Sequence, residues 1–195
     1  MTLIRDSMRA LRLTAVLWLI TVVLYTLPLL AIGQGLFPLQ ANGSLIRVDG
    51  RVVGSTLIGQ PFASERYFWS RPSAVDYSTG RQPSSAPSNL GPTNPDLVKR
   101  ISAASKVLKD AGVRNPAPDL LYGSGSGLDP HISPAAARQQ IRRVAEARRI
   151  PAGQVAELVR RHTEGRFLGV VGEPRINVLR LNLALEAASP GPSGR

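Results

Sequence analysis

The feature that most limits what this chain can become is Leu13 to Ile32, LTAVLWLITVVLYTLPLLAI, twenty successive residues without an ionisable side chain. At 1.5 Å per residue, a helix of that length spans about 30 Å, the thickness of a bilayer's hydrocarbon core. Roughly a dozen Leu, Ile and Val, each contributing about −0.3 to −0.6 kcal/mol on insertion, outweigh three Thr and one Pro, so residues 13–32 are expected as a transmembrane helix. Arg5, Arg9 and Arg12 precede it against a single Asp6, and no further charge occurs until Arg47. The positive-inside rule therefore keeps residues 1–12 in the cytoplasm and exports the chain beyond Ile32. A cleaved signal peptide is the competing reading, since Ala31-Ile32-Gly33 offers a small-x-small site. The apolar run exceeds the roughly 7 to 15 residues of a signal core, which favours retention. Pro28 is expected to kink the helix near its outer end.

The chain beyond the anchor is long enough for one globular domain with its own core. The expected division is a connector at 33–42, an extracytoplasmic α+β domain at 43–188 with a β-hairpin and about four helices, and a disordered tail at 189–195. Removing the three Arg and one Asp ahead of the span from the formal charge of +11 leaves +9. Such an excess suits nucleic acid, anionic membrane lipid or an acidic protein. Export and the lack of an aromatic-interleaved basic motif argue against nucleic acid. With no Cys in the chain, disulfides, thiolate metal sites and thiol catalysis are excluded.

Leu45 to Val48 and Arg51 to Ile58 read as two strands, with Asp49-Gly50 supplying the positive-φ positions of a two-residue turn. Tyr67-Phe68-Trp69 reads as a packed edge of the core, or alternatively as an interfacial ring at the membrane. Arg71 to Pro95 carries five Pro and no apolar period, which makes it a long loop. Its composition favours a linker, but SNLGPTNP fixes turns that a spacer does not need. Asn94-Pro95-Asp96 starts a helix as cap, first position and dipole partner, and Gly112 stops it. Ser133-Pro134 caps a second helix with an apolar stripe of Ile141, Val144 and Ala145. Its Arg138, Arg142, Arg143, Arg148 and Arg149 are most simply a solvated face. Pro151 opens a third helix through His162 that turns Val155, Leu158 and Val159 inward. Phe167 to Val171 reads as a short strand, and EPRINVLRLNLALEAA as a helix by length and propensity or a strand by its alternating Leu.

The segment GSGSGLDPH at 123–131 is the main candidate for chemistry. It lacks the Lys of a Walker A loop, and Ser124 and Ser126 lack the G-x-S-x-G frame of a nucleophile elbow. Asp129 and His131 complete the residue types of a hydrolase triad, but crowding within a few residues works against triad geometry, so no catalytic residue is assigned. His162 is the other imidazole of the chain, too little for a metal site. Ser124, Gly125, Ser126 and Gly127 form a turn ahead of a helix, able to present N–H groups to an anion or simply to cap.

Taken in order, GSTLIGQPF, YFWSRPSA, SNLGPTNP, SGSGLDPHISPAAA and HTEGRFLGVVGEPRINVLRLNLAL behind one N-terminal span resemble the C subunit of the bacterial Kdp potassium-transporting ATPase. The likeness covers nearly the whole chain, and Ile176, where the family usually has Val, is a minor departure. The resemblance implies a non-catalytic accessory subunit in the cell membrane. Its partners would be a channel-like potassium-binding subunit, a P-type ATPase subunit that hydrolyses ATP, and a small single-span subunit. It also implies ATP as a ligand in a transient complex, because the family is described as a catalytic chaperone that raises the ATPase subunit's affinity for ATP. The topology argument places the domain across the membrane from cytoplasmic ATP, so assembly or potassium entry at the outer face suits the residues better. Two other classes stand beside it: a membrane-anchored envelope binding protein and an exported Ser-His-Asp hydrolase. The expected docking side chains are Arg71, Asn89, Asn94, Asp129 and His131, on a surface formed by the loop 71–95 and the turn 123–133.

Overall fold

An apolar stretch in lipid must satisfy its own backbone, and this one does so as a helix from Leu3 to Leu36, 34 residues long and apolar enough to cross a membrane. The computed structural model describes residues 2–80 and 83–189. It divides into two units, Met1–Leu45 and Ile46–Arg195. In the first, α1 (Thr2–Leu19) passes into a π-helical segment, Ile20–Thr26, and then into α2 (Leu27–Leu36). The irregularity expected at Pro28 thus takes the form of a wider turn just before it, where the ring would meet the preceding carbonyls. Thr21 Oγ1 donates to Leu17 O at 2.8 Å and Thr26 Oγ1 to Thr21 O at 2.9 Å, so both hydroxyls are satisfied within the helix. Residues 33–36, expected as connector, are helical, and α3 (Pro38–Ala41) adds one more turn.

Next in the chain is the expected hairpin, β1 (Leu45–Val48) and β2 (Arg51–Ser55). Asp49 and Gly50 both take positive φ, 49° and 76°, as a two-residue turn that matches strand twist requires. The second strand ends at Ser55, short of Ile58, because the Ser55 hydroxyl accepts from Leu57 N–H at 3.1 Å and starts a turn. α4 (Pro95–Asp110) begins where its cap predicts, with Asn94 accepting from Asp96 N–H at 2.8 Å. α5 (Pro134–Arg148) is capped by Ser133, and α6 (Ala152–Arg161) comes next after Arg149 turns left-handed at φ 58°. α7 (Val178–Ala188) resolves the ambiguity at the C-terminal end, because Arg175–Asn177 is a strand and Asn177 caps the helix after it.

A small antiparallel sheet, absent from the sequence expectation, has the order β3 (His131–Ile132), β5 (Arg175–Asn177), β4 (Thr163–Glu164). Ile132 and Thr163 both face Ile176 across it. α5 packs on α6 and α6 on α7. Phe68, Val144, Val155, Ile176, Leu181 and Leu185 are fully buried among them. The unit is α+β, as expected.

Two expectations are overturned. Phe167–Val171 is not a ladder strand. Gly169 and Gly172 take φ of 78° and 83° and fold the run into a turn whose ends meet as an isolated bridge, with Phe167 N–H donating to Val171 O at 2.8 Å. Nor are all the α5 arginines solvated: Arg138, Arg142 and Arg149 are exposed, whereas Arg143 and Arg148 are buried. Their guanidinium groups serve a neighbouring extended segment. Arg143 donates to Glu65 O at 2.6 Å and Tyr67 O at 3.0 Å, and Arg148 to Arg66 O at 2.7 Å. Burial lowers the Arg143 pKa to about 10, against the opposing pull of Glu65. Tyr67-Phe68-Trp69 is accordingly the packed edge of the core, with Phe68 wholly buried, Tyr67 and Trp69 half-buried, and Trp69 under the Arg143 guanidinium at 3.9 Å. Of the expected tail, Ser189 is held through its carbonyl by Arg148 at 2.6 Å, and 190–195 lie outside the described residues.

Candidate functional site

Residues 71–80 and 83–86 are irregular but not a free linker. Arg71 Nη1 meets Asp129 Oδ2 at 2.8 Å, and its Nη2 donates to Gly123 O at 3.3 Å. Ser73 donates to Gly127 O at 2.7 Å, and Ser85 to Ser126 O at 3.0 Å. Between them the chain turns left-handed at Asp76, Tyr77 and Ser78, with φ of 47°, 52° and 60°. Such a turn needs an anchor, and Tyr77 provides it: its ring is buried and its hydroxyl donates to Arg71 O. Burial raises the Tyr77 pKa to about 12, so the hydroxyl remains a donor.

The facing turn is built by its serines. Ser124 Oγ accepts from Gly127 N–H at 2.9 Å, and Ser126 Oγ from Leu128 N–H at 3.1 Å. Gly127 has to be glycine, because its φ is 67° and a Cβ there would lie 2.6 Å from Val75 Cγ2 and 2.8 Å from Ala86 O. Asp129 Oδ1 accepts from His131 N–H at 2.9 Å and lies 3.4 Å from His131 Nδ1. Burial pushes the Asp129 carboxyl up, but the His131 hydrogen bonds and the Arg71 charge outweigh it and hold its pKa below the ordinary 3.8. The Arg71–Asp129 pair stands between two open clefts of about 570 and 510 Å³. The first is lined by Gly123 to Ser126, and the second by Asp119, His131, Glu173 and Arg175.

The structure therefore brings together Arg71, Asp129, His131 and the Ser124-Gly125-Ser126-Gly127 turn. It does not bring in the other two candidates. Asn94 spends its side-chain oxygen on the α4 cap, and Asn89 is exposed at φ 54°. Asp119 was not anticipated, and it takes the place an outside anion would need at the start of α5, accepting from Ser133 N–H at 2.6 Å and from Ser133 Oγ at 3.1 Å. Ser73, Tyr77 and Ser85 were missed as well, although one aromatic residue in a Pro- and Ser-rich loop is a signal for an anchor. Among the described hydrogen bonds none joins His131 to Ser124 or Ser126, and His162 Nδ1 lies 2.9 Å from Leu158 O. The arrangement offers a guanidinium, a carboxylate and an imidazole on one surface, a set suited to recognition by hydrogen bonding.

Comparison with known proteins agrees with this architecture. The family profile described as KdpC, the c chain of the K+-transporting ATPase, matches residues 7–187. A potassium-transporting ATPase KdpC subunit of a Synechocystis species is 57% identical over 189 residues, covering 94% of this chain and 99% of that protein. The corresponding subunit of Sorangium cellulosum is 55% identical, covering 92% and 96%, and that of Methylococcus capsulatus is 54% identical, covering 91% and 95%. On a match that runs from the apolar helix to the end of α7, the chain belongs to the KdpC family, the c chain of the K+-transporting ATPase.

Proposed function

We propose that this chain is an accessory subunit of an ATP-driven potassium uptake pump that docks on the outer face of the potassium-binding subunit and supports assembly and ion entry there. Its helix is retained in the bacterial cell membrane with the N-terminus in the cytoplasm, as the three leading Arg favour, and Ile46 onward is extracytoplasmic. ATP hydrolysis belongs to the P-type subunit, and a small single-span subunit completes the complex. The observation that carries the docking role is the attachment of Arg71, Ser73 and Ser85 to the turn 123–129, which holds Arg71, Asp129 and His131 on one surface. A lone membrane helix makes few contacts, so a second contact outside the bilayer raises effective concentration and keeps the subunit in place.

The chain has no Cys, so one introduced at the exposed Ser102 reports sidedness cleanly. An impermeant maleimide should label Ser102→Cys in intact spheroplasts. Labelling only after lysis would place the domain with cytoplasmic ATP and favour the chaperone role that the family resemblance implies. Docking is tested by Arg71→Ala and Asp129→Asn, which should reduce co-purification of the other subunits in mild detergent. Full assembly with both variants would refute the docking surface.

A further inference from the structure

We infer that the β4–β5 loop, Phe167–Gly172, is the apolar anchor of this docking surface and inserts into an apolar pocket on a fellow subunit of the pump. The inference rests on the docking role proposed above and names the part of the surface that supplies its binding energy. Phe167, Leu168, Val170 and Val171 are 70%, 81%, 75% and 61% exposed, a concentration of apolar side chains that marks an interaction site. The loop is ordered despite that exposure. Phe167 N–H and Val171 O pair at 2.8 Å, Val170 N–H donates to Phe167 O at 3.2 Å, and Gly169 N–H to Arg166 O at 3.0 Å. Its backbone can therefore leave water without stranding these donors. At its base Arg166 pairs with Glu173 at 3.1 Å, and Glu173 also lines the cleft that holds Arg71, Asp129 and His131. An apolar prong beside a polar, hydrogen-bonding cleft is the core-and-rim anatomy of a protein interface.

Charge decides between a protein and the lipid surface. Around the loop base and the cleft, Arg71, Arg166, Arg175 and Arg180 are matched by Asp119, Asp129, Glu164 and Glu173, leaving no excess positive charge for anionic headgroups. The adjoining cleft sets Asp119, Asp129 and Glu173 against Arg71 and Arg175, so it too presents no cationic patch to an anionic surface. The occupant is a protein pocket, apolar inside and edged by hydrogen-bond donors.

A benzophenone side chain at position 168 of the full chain, produced with the other pump subunits, should on irradiation form an adduct with one of them. An adduct only with lipid or with a second copy of this chain overturns the assignment. Leu168→Asp should lower co-purification of the pump about tenfold, the effect of losing one well-packed interface side chain. Its melting midpoint should match the parent chain, because the side chain touches little of its own fold. Lost assembly with Leu168→Asp but not with Arg71→Ala overturns the cleft reading alone, and the reverse pattern overturns the loop contact alone.

Discussion

Tyr67-Phe68-Trp69 and Phe167–Val171 are both short apolar stretches, yet the first packs into the edge of the core around a buried Phe68 and the second stands in water. The difference lies in who serves the backbone. Phe68 gives its N–H to Asn182 at 2.8 Å and its carbonyl accepts from the same amide at 3.0 Å. Trp69 has the same relation with Gln140, at 2.7 and 3.2 Å. Buried amides and guanidinium groups thus replace the neighbouring strand that this segment lacks, and the aromatic rings are free to enter the core. Among the described residues no such side chain reaches the backbone of Phe167–Val171, which closes its hydrogen bonds on itself and points its apolar groups outward. For a short segment, burial depends on a supply of distant polar partners as much as on its own hydropathy.

The contrast breaks most violently at Asn182. Asn182→Ala leaves two buried backbone groups of Phe68 unmet and opens a cavity, and should cost about 3 to 5 kcal/mol in urea unfolding of the detergent-solubilised chain. A loss under about 1 kcal/mol would mean that water serves the segment equally well. The segment Arg71–Gly80, with Ser85, extends the comparison to a third case, held by a facing turn. Gly127→Ala strains φ and strikes Val75 and Ala86. It should cost about 2 kcal/mol and expose residues 73–86 to protease, and limited proteolysis with mass spectrometry reads the cleavage.

A smaller effect is expected in acid. The Asp129 carboxyl titrates below 3.8 in the folded chain, so the unfolded chain takes the proton first. The stabilisation is complete well above pH 3.8 and is lost as pH falls through the folded value. Melting midpoints between pH 6 and 3 should show this loss in the parent chain and less of it in Asp129→Asn. The smallest effect is predicted where the apolar surface is largest. Leu168→Ser in the isolated chain should change stability by no more than about 0.5 kcal/mol. A larger loss would show that the loop belongs to the core after all.

The anchor helix, the Asp49-Gly50 turn and the caps at Asn94 and Ser133 were legible because each signal is complete within a few residues. Arg143 and Arg148 were not. Their acceptors lie 78 and 82 residues away, and helical periodicity records nothing about a carbonyl in need of a donor. Phe167–Val171 misled by composition, since Gly169 and Gly172 outweigh three β-formers in a run that short. In the candidate site, Arg71, Asp129 and His131 could be picked as polar residues inside turn-rich loops. Asp119 could not, because its partner Ser133 already had a complete local explanation as a cap.

The grip of α7 on the 65–69 segment also sets an order of events during synthesis. Asn182 lies 114 residues beyond Phe68, and Ser189, which Arg148 holds, comes later still. The α5 side chains that serve Glu65, Arg66, Tyr67 and Trp69 are made earlier. Until α7 has left the ribosome, however, Phe68 lacks the amide that meets its N–H and carbonyl, and the core stays open where Leu181 and Leu185 close it. The anchor is therefore in place well before the domain behind it can close, and a nascent chain stalled ahead of Asn182 is expected to remain open and protease-sensitive however much of its sequence has already emerged.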